Sequence, residues 1–168
     1  MSATEELTER EANVATEPIS DYELERGKPM PSKNHSKLQT RIGHLLLKKY
    51  EEAFDVFSEL SLVVEGETKH PDICVFPKSP NDWLRDEIKV TQMPLLAIEI
   101  FSPRQVWHDL ETKVRSLLDA GAKSCWVVFP SLRAVAVYLP NQLPKVFTSG
   151  EIRDEQTGVS LTIEEIFR

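Results

Sequence analysis

Two hydrophobic periods alternate along this chain, and each change of period marks an element. Within residues 34–53, Leu38, Ile42, Leu45 and Leu46 recur at i, i+4, i+7 and i+8, the face of an amphipathic helix. Residues 54–65 switch to a period of two, with Val56, Ser58, Leu60, Leu62 and Val64 on one side and Phe57, Glu59, Ser61 and Val63 on the other. That alternation predicts one strand, ended by Gly66. Residues 72–76 predict a second, short strand closed by Pro77, and residues 95–101 form a nearly unbroken apolar run, as expected of a strand covered on both faces. Leu110, Val114, Leu117 and Leu118 restore the helical period over 109–120, and Gly121 closes it. Residues 124–129 are again wholly apolar, and 134–139 pair with them across a turn at 130–133.

Strand, helix, strand between 95 and 129 implies a parallel, right-handed crossover. Hairpins on either side make the expected fold an α/β domain with a mixed central sheet flanked by helices. Residues 145–153 and 159–161 read as peripheral strands, and Thr162, Ile163, Glu164 and Glu165 begin a short terminal helix. Upstream, Ser20 and Glu23 form a capping-box pair and Gly27 supplies a stop, predicting a short helix. Between Lys78 and Met93 lies a long loop whose Trp83–Ile88 segment is expected to make one or two helical turns.

Composition bounds the reading without redirecting it. With 168 residues and 40% hydrophobic content the chain can bury one core. Residues 1–17 lack any apolar period and gather Glu5, Glu6, Glu9, Glu11 and Glu17, so they are expected to be a disordered acidic tail before a single domain at 18–168. No long apolar run and no basic-then-apolar leader is present, so the expectation is a cytoplasmic protein with no membrane partner. Cys74 and Cys125 fall in apolar strands without metal spacing and read as reduced core thiols. The net charge of −7 supplies no general attraction for nucleic acid. Lys37, Arg41, His44, Lys48 and Lys49 concentrate basic charge on one helix face, for which simple solvation is the ordinary explanation.

Two acids stand where charge is normally excluded. Asp72 opens one apolar strand and Glu99 interrupts another, and an unpaired carboxylate is expensive to bury. If those strands are neighbours, the carboxylates converge as hard oxygen ligands suited to magnesium, which leaves its other positions to water and phosphate. Lys113 follows Asp109 by one helical turn, about 6 Å away on the same face. It then has two readings: a cation turned toward the Glu99 strand end, with Asp109 orienting it or touching metal indirectly, or half of an ordinary surface pair with Asp109.

The run Pro71-Asp72, then Pro94 through Pro103 around Glu99, then Asp109-Leu110 with Lys113 and Ala120-Gly121, resembles the Uma-two family. That group consists of predicted restriction endonucleases within the PD-(D/E)XK nuclease superfamily. The likeness extends to Tyr22-Glu23-Leu24, Gly27 and His35 upstream, and to Cys125–Val128, Val135, Val137 and Tyr138 downstream. The resemblance implies a restriction-endonuclease-like core, a magnesium or manganese ion on Asp72 and Glu99, and endonuclease activity on DNA. The superfamily's lysine two residues beyond the second acid is absent, since position 101 is Phe; by analogy the following helix supplies it as Lys113. Tyr is more usual at Leu117 and Cys125, Asp at Phe129, and an acid at Lys28. The first-helix glutamate of many superfamily members is not evident between His35 and Leu47, with Glu59 a candidate substitute and His35 a candidate proton shuttle or phosphate contact. An exposed Trp107 is a candidate for stacking a base, although packing on the helix is the commoner use.

Two functional classes follow. One is a magnesium-dependent endodeoxyribonuclease using Asp72, Glu99, Lys113 and Asp109, with His35 and Glu59 as accessories. The other is a non-catalytic member of the fold, a structural or protein-interaction module forming a homodimer through an edge at 134–139.

Overall fold

The computed structural model describes residues 18–168, and the acidic tail expected at 1–17 lies outside them. The chain divides into a unit ending at Met30 and a second unit, Pro31–Arg168. In the first, α1 (Asp21–Arg26) has the expected reciprocal cap between Ser20 and Glu23, and Gly27 ends it in the left-handed region at φ 63°.

The second unit begins with α2 (Lys33–Tyr50), started by the Ser32 side chain accepting from the His35 N–H. There follow β1 (Phe54–Ser58), β2 (Leu62–Val64), β3 (Glu67–Lys69), β4 (Ile73–Pro77), β5 (Leu96–Ile100), α3 (Trp107–Asp119), β6 (Ser124–Phe129) and β7 (Ala134–Tyr138). The chain closes with β8 (Lys145–Phe147), β9 (Glu151–Arg153), β10 (Ser160–Thr162) and α4 (Ile163–Ile166). Six strands form one mixed sheet in the order β1-β4-β5-β6-β7-β8. Only β5 and β6 run parallel, joined by α3 as the strand-helix-strand pattern predicts.

Alternation along β5 sends its side chains to two cores. Leu96, Ile98 and Ile100 pack with Leu38, Ile42 and Leu46 of α2, whereas Ala97 packs with Leu110, Val114 and Leu117 of α3. All five β5 residues are buried, which explains the unbroken apolar run. Trp126 is wholly buried, and its indole N–H donates to Asp154 Oδ2 at 2.9 Å. The other oxygen of Asp154 accepts from the Gln156 and Thr157 N–H groups, so this buried acid is spent on structure.

Three expectations need correction. The strand expected at 54–65 is two, because Glu59 takes a left-handed φ of 53°; β1 joins the main sheet while β2 turns back on β3 through Glu65 and Gly66, both with positive φ. The Trp83–Ile88 segment forms no helix: Asp82 Oδ1 accepts from the Leu84 N–H, and Trp83, Leu84 and Ile88 are exposed, with no apolar face to bury. The strand expected at 145–153 is also two, and its first half, β8, pairs with the outer side of β7. The 134–139 strand is therefore no free edge, which removes the surface on which the homodimer expectation rested. Among the described residues no helix is long and apolar enough to cross a membrane.

Candidate active site

β4 and β5 pair antiparallel with Ile73 opposite Ile98. Extending that register by one residue sets Asp72 opposite Glu99, and directly opposed residues share a face of the sheet. That face belongs to α3, since Cys74 and Ala97, two residues along from the acids, pack with its apolar side. The convergence expected of the two acids follows from strand pairing alone.

Both carboxylates are almost wholly buried, each only 1% exposed. The Ile100 N–H, beyond the end of the β4–β5 ladder, donates to Asp72 Oδ2 at 2.7 Å. His35 brings Nε2 to 3.1 Å from the same oxygen, and its own position is set by the Ser32 cap of α2. The Asp72 carbonyl accepts from Gln39 Nε2 at 3.2 Å and from the Glu59 N–H at 3.1 Å. Asp72 is thus held at the carboxylate and at the backbone, which fixes where its charge lies.

Lys113 makes the second half of the site. Its Nζ stands 2.5 Å from Glu99 Oε1 and donates to the His70 carbonyl at 2.8 Å. The Glu99 charge thereby gains a counter-ion in a setting where an unpaired charge would cost several kcal/mol, on the order of the desolvation of one ion. The Lys113 side chain is 14% exposed, against 2% for that of Glu99. His70 is tied in turn by Nδ1 to Ser61 Oγ at 3.1 Å.

The residues expected on sequence grounds divide cleanly. Asp72, Glu99, Lys113 and His35 come together. Glu59 enters through its backbone N–H. Asp109 stands apart, exposed in the first turn of α3, with no side-chain bond among the described residues, and Lys113 turns to Glu99 in preference to the surface partner one turn back. An acid there complements the N-terminal end of the helix macrodipole. Trp107 packs as the commoner use predicts, its ring 6.0 Å from that of Phe101 and 5.6 Å from that of Phe129, fastening the start of α3 to the ends of β5 and β6, while part of it stays exposed. Sequence reading missed Gln39, which lies one helical turn after His35 and so shares its face. It also missed the His70 carbonyl, for which side-chain identity carries no signal.

Beneath the acids, Cys74 and Cys125 flank Ala97 on the neighbouring strands, both buried and both free thiols as expected. Burial pushes the Cys125 thiol up, and the Glu99 charge adds to the effect.

No group of three or more His, Cys, Asp or Glu side chains able to hold a metal occurs among the described residues. Two carboxylates from adjacent strands nevertheless suit magnesium, which commonly takes one or two carboxylates and keeps water and phosphate elsewhere. Only one imidazole, that of His35, stands beside them, and no thiolate joins them, short of the nitrogen and sulfur set expected of a structural zinc site.

No curated protein matches the chain. A solved structure titled as a putative nuclease belonging to DUF820, from Anabaena variabilis ATCC 29413, shares the fold with a TM-score of 0.73. It is 25% identical in sequence, and the match covers 83% of each chain. The Uma2 family model, described as "Putative restriction endonuclease", matches residues 4–165. Because that match spans nearly the whole sequence, the chain belongs to the Uma2 family.

Proposed function

We propose that the protein is a metal-dependent endonuclease that hydrolyses phosphodiester bonds in DNA. The observation that carries this reading is the opposed pair Asp72 and Glu99, buried on adjacent strands with the Lys113 ammonium on Glu99. Retaining three charges at one strand end costs stability without an evident return to the fold.

In this reading Asp72 and Glu99 hold a magnesium or manganese ion. Such an ion supplies Lewis-acid activation of water and neutralises phosphate charge. The Ile100 N–H and His35 keep the Asp72 carboxylate in place, so that little reorganisation is needed when substrate arrives. Lys113, a compact cation on a flexible stem, stabilises negative charge developing on the phosphate. Asp109 serves the α3 terminus.

Magnesium or manganese should raise the melting temperature of the intact protein through ligand linkage, and should not do so for Asp72→Asn or Glu99→Gln. Cleavage of a DNA duplex at low salt should require the metal and disappear in Lys113→Ala. An equal metal response in all three proteins would remove the metal site.

The non-catalytic module is favoured by one observation, that the Glu99–Lys113 pair is already neutral without a metal. A protein that binds no metal and cuts neither single-stranded nor duplex DNA would establish that reading.

A further inference from the structure

α2 carries Lys33, Lys37, Arg41, Lys48 and Lys49 and not one aspartate or glutamate. Two physical rules disfavour this composition in a solvated helix. Lys33, Lys37 and Arg41 succeed one another at i, i+4 and i+8, stacking like charges on one face. The two lysines also stand in the opening turns, where the helix already presents the positive end of its macrodipole. Nothing among the described residues offsets either cost at Lys33 and Lys37, which are exposed and have no ion pair there.

With Thr40, His44 and Arg168 these three cations line an open groove of about 620 Å³ that contains no carboxylate side chain. Arg41 donates in it to a backbone oxygen of Arg168, the last residue, at 3.1 Å, so the terminal carboxylate offsets part of its charge. In a protein of net charge −7, such a groove creates local attraction for a polyanion against a general repulsion. From Lys33 to His44 the stripe runs about 16 Å along the helix, the length of a few phosphates on one DNA strand. His35, bonded to Asp72, stands in the same opening turns but on the buried side of α2 with Leu38, Ile42 and Leu46, so the stripe and the candidate site share the start of the helix and not a face.

We infer that this groove is a docking surface for the phosphate backbone of DNA; the inference rests on the nuclease reading above. Charge complementarity selects the occupant: a ladder of singly negative phosphates matches a ladder of cations one helical turn apart, without any demand on base sequence.

Binding can be separated from cleavage by measuring fluorescence anisotropy in EDTA, with a labelled 20-base-pair duplex and its single strand as probes, across a series of salt concentrations. The full-length protein should bind with a strong salt dependence. Lys33→Ala/Lys37→Ala should weaken binding at low salt by about tenfold or more and flatten the log–log salt slope by about 2, roughly one unit for each lost phosphate contact. Lys145→Ala, an exposed change on β8, should leave affinity and slope as they were. The inference is overturned if the native protein shows no salt-dependent binding to either probe, if the double variant binds like the native protein, or if Lys145→Ala weakens binding equally. Metal-dependent cleavage that survives in a double variant with native binding would refute the docking surface and keep the nuclease. Groove-dependent binding without cleavage under any metal would do the reverse.

Discussion

Glu99 and Lys113 are unequal partners when one of them is removed. Glu99 is almost wholly buried, whereas the Lys113 side chain is partly exposed. Lys113→Ala therefore strands a buried carboxylate and should lower unfolding free energy by about 3 kcal/mol or more, measured in urea. Adding Glu99→Gln removes the stranded charge and should restore most of that loss, a coupling that a double-mutant cycle isolates. Cys125 gives a second prediction at this scale. Its folded thiol is held up by burial, while the unfolded thiol ionises at about pH 8.5. The folded state then keeps a proton that the unfolded chain gives up, so this contribution is fully present below about pH 8.5 and is lost as pH rises beyond it, by about 1.4 kcal/mol per pH unit. A thiol reagent should accordingly label Cys125 only in the unfolded protein. Asp72 and Glu99 were legible because charge inside an apolar run has few structural explanations. Lys113 was legible only through family resemblance, since helical spacing offered Asp109 as an equal partner.

At the scale of the element, α2 joins two tasks that conflict. Its buried side, Leu38, Ile42 and Leu46, anchors the sheet, and its exposed side opens with Lys33 and Lys37 against the dipole. Lys33→Glu should raise the melting temperature by about 1–3 °C, by relieving like-charge stacking and complementing the helix N-terminus. The same change should weaken DNA binding, so scanning calorimetry and anisotropy would move in opposite directions. Elements with a sustained period, α2, α3, β5 and β6, were readable nearly to the residue. The break at Glu59 was not, because β1 and β2 happen to continue one alternation and only a single backbone dihedral separates them. Nor was the covering of β7 by β8 readable, since the apolar pattern of 134–139 is the same whether its outer neighbour is water or another strand.

Across the whole molecule, the exposed loop between β4 and β5 has a consequence for how the two acids are joined. Asp72 precedes that loop and Glu99 follows it, so every covalent path between them passes Trp83, Leu84 and Arg85 in solvent. The contacts that align them lie elsewhere, in the β4–β5 ladder and in the bond from the Ile100 N–H. Limited trypsin should therefore cut at Arg85 or Lys89 well before it attacks the sheet. The cut would leave two fragments, one carrying Asp72 and His35 and the other Glu99 and Lys113. They should co-elute on size exclusion and separate only in denaturant, with the metal-induced rise in melting temperature preserved. The molecule would then be a two-piece complementation system, with one acid in each piece.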